Sequence, residues 1–261
     1  MDIAVCTIAY RQTGESPEQV IIKAKKMGIK AVEWWWGHLE PGSYEQRKEI
    51  FGICQDNGID VAGLAGPIGH FNLEMTNMDQ AVEKFKQAME IAHTQGNCKI
   101  RTFAGWVGDI PSAKASDEYF DFCIKGFKKM CELAQNENLI LQMETHKGSL
   151  SDSIRGINRI VQGVNSPALK LLMQIDDQCE NSNTDELGFW NAIKENVVHF
   201  HFNPHENPQP GRDENWKKLF DKMKADGYKG MISIESCHNP ENPDSDIKLG
   251  LDKLRDLSVI G

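Results

Sequence analysis

The sixth apolar run of the chain reads Leu169-Lys170-Leu171-Leu172-Met173-Gln174-Ile175-Asp176 and ends in a carboxylate. Strands of a parallel sheet are covered on both faces, so they consist of nearly continuous apolar residues, as this run does. Parallel strands also need a crossover of a dozen or more residues between them, which is usually a helix. The segment therefore predicts a buried parallel strand in an α/β fold.

The same cycle of a short apolar run and a longer amphipathic stretch is repeated along the whole chain. The predicted strands are 3–9, 31–36, 60–66, 99–104, 139–145, 169–176, 197–203 and 231–236. Their starts lie about 33 residues apart on average, which is the size of one strand–helix unit with its loops. Eight units use the whole 261 residues without a linker or a change in composition. We therefore predict an α/β fold, a (β/α)₈ TIM barrel, as a single domain over residues 1–261.

The predicted helices carry recognisable start and stop signals. Ser16 before Pro17 supplies an N-cap, and Ser43 with Gln46 predicts a capping box. Gly28 supplies a left-handed residue that ends the first helix. The helices span 17–27, 43–57, 79–94, 116–136, 151–162, 184–196, 213–225 and 244–257. An open, doubly wound sheet has the same alternation, but the lack of Gly-x-Gly-x-x-Gly after the first strand weakens a dinucleotide-binding alternative.

The charge balance and the cysteines limit the class of protein. There are 29 Lys and Arg against 38 Asp and Glu, a net charge of −9, so the basic footprint of a nucleic-acid binder is missing. The seven cysteines include no C-x-x-C pair and indicate neither a disulfide framework nor a thiolate zinc site. The start of the chain lacks a signal-peptide pattern, and no apolar run reaches the roughly 20 residues of a membrane span. We expect a cytoplasmic protein with no nucleic-acid or membrane partner.

The last positions of the predicted strands carry the side chains that can do chemistry, at the end of a barrel where active sites lie. Side chains alternate along a strand, so Glu144 shares one face of strand five with His146. On the same reasoning, Asp176, His201 and Glu235 meet Glu144 from four consecutive strands. Converging carboxylates repel one another unless a cation lies between them, and this donor set suits Mn²⁺, Mg²⁺, Co²⁺ or Zn²⁺. Taken singly, each carboxylate is more often a loop cap or an ion-pair partner, and it is the set that predicts a metal site.

These residues resemble the sugar phosphate isomerase/epimerase family of xylose isomerase-like TIM barrels. The resemblance rests on the strand-end pattern Glu144-x-His146, Asp176, His199-x-His201 and Glu235, and on segments 28–33 and 63–70. It implies one divalent ion, usually Mn²⁺, held by Glu144, Asp176, His201 and Glu235.

The resemblance also implies roles in catalysis. Glu144 and Glu235 would remove and return a proton next to a substrate carbonyl through a metal-bound enediolate. His146 and His70 would hydrogen-bond substrate oxygens. Glu33 is a weaker substrate-binding candidate, because a carboxylate on strand two can instead have the role of orienting a neighbour.

The sequence departs from the family pattern at two positions. Cys179 stands where family members commonly have a substrate-contacting His, and Asn207 stands where ketose epimerases tend to have an Arg. Arg212 and Cys179 are therefore candidate substrate contacts, and Trp106 is a candidate platform for a sugar ring. Strand four has no His, which argues against the endonuclease branch of the family.

The leading interpretation is a metal-dependent isomerase or epimerase that acts on a sugar, keto-sugar or related polyol. The alternative is a lyase or dehydratase on the same scaffold that eliminates a β-leaving group. A barrel that binds a sugar without turnover is a third interpretation. The expected partner is the small-molecule substrate, and the resemblance leaves room for a homo-oligomer.

Overall fold

The computed structural model describes residues 1–66, 77–96, 98–105, 110–175, 178–205 and 212–261, without the side chain of Arg212. Its strands are parallel and follow chain order in a closed eight-stranded barrel, which confirms the predicted fold class. They are β1 (Ile3–Cys6), β2 (Ala31–Trp35), β3 (Asp60–Ala65), β4 (Lys99–Thr102), β5 (Leu141–Glu144), β6 (Leu169–Met173), β7 (Val197–Phe202) and β8 (Met231–Ile234). The extent of a single domain over residues 1–261 stays a prediction.

Helices separate the strands, as the sequence predicts, and two short ones are additional. The helices are α1 (Pro17–Lys26), α2 (Trp36–Leu39), α3 (Tyr44–Asp56), α4 (Met78–Thr94), α5 (Asp117–Asn136), α6 (Ile154–Val164), α7 (Gln178–Asn181), α8 (Glu186–Ile193), α9 (Arg212–Ala225) and α10 (Pro243–Asp256). The additional helices are α2 and α7, which consist of four residues each. None of the helices in the described part of the chain is long and apolar enough to cross a membrane.

The two predicted N-caps, at Ser16 and Ser43, are confirmed. Ser16 accepts from the backbone N–H of Gln19, whose side chain accepts in turn from the backbone N–H of Ser16. Ser43 and Gln46 form the same reciprocal pair at the start of α3. Gly28 has a φ of +76°, the left-handed conformation in which a side chain would be strained. These local signals depend on neighbouring residues only, and so they can be identified from sequence.

The strands are shorter than predicted, most clearly at β1. The ladder ends at Cys6, and the apolar residues that follow form a 3₁₀ turn over Thr7–Tyr10. The Thr7 hydroxyl takes the place of a ladder partner, because its Oγ1 accepts from the backbone N–H of Trp35 at 2.8 Å. Thr7 and Tyr10 remain buried, so the apolar pattern continues beyond the point at which the strand stops.

The chain divides into two compact units, and each is described separately. The first consists of Met1–Ala65, Ile91–Cys98 and His199–Gly261. Within it, β1 pairs with β2 and β8, and Cys6 is the register partner of Glu33. His201 is likewise the partner of Ser233 where β7 pairs with β8. Met231 packs against a buried cluster of three small residues, Ala4, Ala31 and Ala62.

The second unit consists of Gly66–Glu90 and Lys99–Val198. It contains β4, β5 and β6, with Arg101 paired to Gln142 and Glu144 paired to Leu172. Helix α6 approaches α5 closely at Gly163, where an added Cβ would lie 2.6 Å from the Ile124 side chain. The carboxylate of Glu144 ends β5, and Arg101 lies one residue before the end of β4.

Candidate metal centre

His201 lies between two carboxylates in the first unit. Its Nδ1 is 3.2 Å from Oε2 of Glu235, and its Nε2 is 2.8 Å from Oε2 of Glu33. His201 is 1% exposed and Glu33 is fully buried, so both groups have left bulk water. The imidazole therefore bridges a carboxylate on β2 and one that follows β8 directly.

Glu33 also faces a second imidazole. Nε2 of His199 lies 3.4 Å from the same Glu33 oxygen and 2.7 Å from the hydroxyl of Ser233. Burial alone would raise the pKa of Glu33, but the charges of His201 and His199 and their hydrogen bonds hold it well below its ordinary value. Glu33 is therefore an ionised acceptor inside the barrel.

An ionised Glu33 determines which nitrogen of His201 carries the proton. A carboxylate accepts only, so Nε2 of His201 must donate the 2.8 Å hydrogen bond. Metal binding requires a neutral imidazole, and in that form the lone pair is on Nδ1, which faces Glu235. A histidine held by a carboxylate on one nitrogen and open to a ligand on the other is the usual arrangement of a metal-binding histidine.

Glu235 is held by its own backbone and lies next to a thiol. Its N–H donates to the carbonyl of Phe202 at 3.0 Å, which fixes the residue at the end of the β7–β8 pair. Its side chain is 14% exposed, and its Oε1 lies 3.9 Å from Sγ of Cys6. The Glu235 carboxylate is therefore more exposed to solvent than the side chains of Glu33 and His201.

Two overlapping sets of side chains have the spacing of metal ligands. One consists of Cys6, His201 and Glu235, and the other of Glu33, His199 and His201, and in each set the ligand atoms lie within 4.8 Å of one another. They share His201, whose Nε2 is engaged by Glu33. The residues of the first set therefore fit a divalent ion on the Nδ1 side, with Glu33 orienting the ring from behind.

Glu144 has a cationic partner in the second unit. It ends β5 at 1% exposure, and its Oε2 accepts from Nη1 of Arg101 at 2.8 Å. The guanidinium also lies 4.5 Å from the ring centre of Phe103. Arg101 is not among the site residues predicted from the sequence. The only indication of its role in the sequence is that it is a charged residue inside the predicted fourth strand, two positions before the apolar end of that strand.

The remaining described candidates of the second unit lie beyond the strands. His146 follows the end of β5, where its Nδ1 lies 2.8 Å from the carbonyl of Lys147 and its ring meets the edge of Phe103. Because the strand stops at Glu144, the predicted alternation does not extend to His146. Cys179 lies on α7 and is partly buried.

Three of the predicted site residues, and the side chain of a fourth, fall outside the described part of the chain. His70, Trp106 and Asp176 belong to segments that the structure does not describe, and Arg212 begins α9 without a described side chain. Of the predicted metal ligands, the structure brings together His201 and Glu235. The convergence of all four ligands stays a prediction.

The fold and the cluster around His201 define a class of protein, a (β/α)₈ barrel with a candidate metal centre at its strand ends. The chain belongs to the xylose isomerase-like TIM barrel family, because the sequence model of that family matches residues 21–257. The family predicted from the strand-end residues is confirmed.

Relatives of the chain include enzymes of more than one kind. The 3-dehydroshikimate dehydratase of Bacillus anthracis is 24% identical over 206 residues, which cover 77% of this chain and 71% of the relative. The solved structure of the probable 3-DHS dehydratase AsbF, involved in petrobactin synthesis in the same organism, has a TM-score of 0.80 at 19% identity, over 95% of this chain and 98% of that one. The D-psicose 3-epimerase of Clostridium cellulolyticum H10, solved with D-tagatose, has a TM-score of 0.77 at 16% identity, over 98% and 99% of the two chains.

A metal is present in one protein of the same fold. The IolI protein was solved with a zinc atom and has a TM-score of 0.76 at 14% identity, over 98% of both chains. At these identities the solved structures show the shared fold, and the scaffold is one on which a divalent metal can be held.

Proposed function

We propose that the protein is a metal-dependent enzyme that moves a proton next to a carbonyl group of a sugar, keto-sugar or related polyol, as an isomerase or epimerase. The observation that carries the proposal is the placement of His201. Its Nδ1 lies 3.2 Å from Oε2 of Glu235, and its Nε2 donates a hydrogen bond to the buried Glu33. An imidazole held by a carboxylate on one nitrogen is oriented to bind a divalent ion with the other.

The proposed ligands are Glu144, Asp176, His201 and Glu235, and the support for this set is the strand-end pattern together with the family. The resemblance makes Mn²⁺ the expected ion, with Mg²⁺, Co²⁺ and Zn²⁺ as alternatives. When bound, such an ion acts as a Lewis acid that polarises a carbonyl oxygen and so makes the neighbouring C–H more acidic.

The chain's own carboxylates would move the proton. Glu235 is partly open and held in place by its backbone, so it can take a proton from a substrate carbon or return one. Glu144 would act in the other direction, and its 2.8 Å ion pair with Arg101 holds its side chain in place. One carboxylate that removes the proton and another that returns it on the opposite face would invert the configuration of the carbon.

The other candidates would bind the substrate. In this proposal His146, His70, Cys179 and Arg212 contact its oxygens, and Trp106 stacks on its ring. For Glu33, full burial and the hydrogen bond to His201 favour an orienting role over direct substrate contact.

A lyase is the second candidate, and the dehydratase relative favours it. The first step would be the same removal of a proton next to the carbonyl. The electron pair would then expel a β-hydroxyl group, which leaves as water after protonation and produces a conjugated carbonyl. Reprotonation on carbon would produce the isomer or epimer instead.

One experiment separates these outcomes. The full chain is incubated in D₂O with ketoses, aldoses and 3-dehydroshikimate, without metal and with Mn²⁺, Co²⁺ or Zn²⁺ in turn, and the products are followed by NMR and ultraviolet absorbance. Deuterium at the carbon next to the carbonyl of an isomeric or epimeric product supports the isomerase or epimerase, and a new conjugated carbonyl supports the lyase. Neither signal across the panel would overturn the proposal.

Two variants connect the reaction to the site. Glu235→Gln should lower the rate by about 10²–10⁴-fold, the usual contribution of a general acid or base. The matched control is Glu241→Gln, which removes an exposed carboxylate from the loop after β8 and should leave the rate unchanged.

A further inference from the structure

Cys6 is placed differently from the other described cysteines. It ends β1, is fully buried, and has its Sγ 3.9 Å from Oε1 of Glu235. Together with His201 it forms a set of sulfur, nitrogen and oxygen atoms that lie within 4.8 Å of one another. Among the residues that the structure describes, it is the one cysteine in such a set.

The spacing of this set is that of a tetrahedral metal site. With a zinc–sulfur bond of about 2.3 Å and zinc–nitrogen or zinc–oxygen bonds of about 2.0–2.1 Å, neighbouring ligand atoms lie about 3.4–3.6 Å apart. The observed separations are 3.2 Å between His201 and Glu235 and 3.9 Å between Glu235 and Cys6. These distances lie on either side of the ideal, so shifts of a few tenths of an ångström would seat an ion.

The tautomer of His201 points to the same position. Glu33 occupies Nε2, which leaves Nδ1 as the nitrogen that can bind an ion, and Nδ1 faces Glu235. Cys6 lies against the other oxygen of that same carboxylate. Sulfur, nitrogen and carboxylate therefore lie around one point rather than along a line.

Among the described residues, no other buried cysteine belongs to a set with the spacing of metal ligands. Burial raises the pKa of Cys54 to about 12 and that of Cys131 to about 11, which keeps both as inert thiols. Cys54 lies on α3, in the same unit as Cys6 but outside both ligand sets. It is therefore a matched control for Cys6.

We propose that Cys6 is a ligand of the metal centre together with His201 and Glu235, and that it makes the site selective for thiophilic ions such as Zn²⁺ and Co²⁺ over Mn²⁺ and Mg²⁺. Thiolate is a soft ligand that favours zinc-like ions, whereas carboxylates alone suit manganese and magnesium. On binding, the Cys6 thiol loses its proton to solvent as the sulfur–metal bond forms. This inference rests on the metal centre of the proposed function.

The test is a Co²⁺ titration of the metal-free full chain, followed by absorbance and by proton release. A cobalt–thiolate bond gives a charge-transfer band in the near ultraviolet, and bound cobalt gives weaker visible bands whatever its ligands. Wild type should show both, Cys6→Ser should keep the visible bands and lose the charge-transfer band, and Cys54→Ser should match wild type. The preference for Zn²⁺ over Mn²⁺, measured as a ratio of Kd values, should fall about tenfold or more in Cys6→Ser.

The outcomes distinguish this inference from the proposed function. Visible cobalt bands without a charge-transfer band in wild type would refute the thiolate ligand and leave the metal centre intact. No cobalt binding at all would overturn the metal centre and the thiolate together. The wild-type spectrum decides by itself between these results, so the test holds even if Cys6→Ser fails to fold. A charge-transfer band that persists in folded Cys6→Ser would also refute the role of Cys6.

Discussion

Glu33→Gln should weaken metal binding without removing a predicted ligand. The carboxylate accepts from Nε2 of His201 at 2.8 Å and keeps the lone pair on Nδ1. A Gln amide is neutral, so it makes the imidazole less basic. Its NH₂ group can also donate to Nε2, which would drive the proton onto Nδ1 and block the metal.

The size of the effect follows from the geometry. Loss of a group that orients a metal-binding histidine typically costs about 10–100-fold in metal affinity. The contact to His201 is short, and Glu33 and His201 are 0% and 1% exposed, so solvent does not screen it. We expect the upper end of the range, about 100-fold, or about 2.7 kcal/mol.

The assay is a competition with a chelator of known affinity, using Zn²⁺ or Co²⁺ and the metal-free protein. The control is Ser233→Ala, which removes the 2.7 Å partner of His199 from the same buried cluster and leaves the hydrogen bond between Glu33 and His201 in place. Circular dichroism establishes that each variant is folded at the temperature of the titration. Equal metal affinity of folded Glu33→Gln and wild type would refute the orienting role.

Three further predictions concern stability. Burial lowers the pKa of His38 to about 4, so below about pH 6.5 the unfolded chain binds a proton that the folded chain does not. The free energy of unfolding should therefore fall by up to about 3 kcal/mol from pH 6.5 to pH 4. Urea unfolding at a series of pH values should show a weaker pH dependence for His38→Gln than for wild type. Arg101→Met should destabilise the metal-free protein by about 3–5 kcal/mol in urea unfolding, because it leaves the Glu144 carboxylate buried and unpaired, and an unchanged midpoint would contradict the ion pair. Gly156→Ala should destabilise the protein by about 1–3 kcal/mol in thermal unfolding, because its Cβ would lie 2.1 Å from a backbone oxygen. Gly52→Ala, in open space within α3, should instead stabilise the protein by about 0.5–1 kcal/mol. Similar changes in stability for the two variants would contradict the close packing at Gly156.

The sequence was sufficient to predict the features that depend on patterns of residues along the chain. The apolar runs and their spacing predict the parallel barrel, and the Ser16 and Ser43 caps predict two helix starts, all of which the structure has. The contact between His201 and Glu235 also follows, because neighbouring strands in phase present their end residues to each other.

Contacts that depend on register could not be predicted in the same way. Arg101 reaches Glu144 because β4 and β5 pair with Arg101 opposite Gln142, and nothing in the local pattern fixes that alignment. Cys6 resembles any small buried residue at the end of an apolar run, and only the positions of β7 and β8 give its thiol polar neighbours. The turn after β1 depends on a hydrogen bond from Trp35 to Thr7 across strands.

The most direct test of the metal centre is anomalous diffraction from crystals of the protein grown with Zn²⁺ or Mn²⁺. The account predicts a peak about 2.0–2.2 Å from Nδ1 of His201, with Glu235 among the ligands and Glu33 still bonded to Nε2. An ion on the Nε2 side, held by Glu33 and His199, or no ion near His201 at saturating metal, would contradict it.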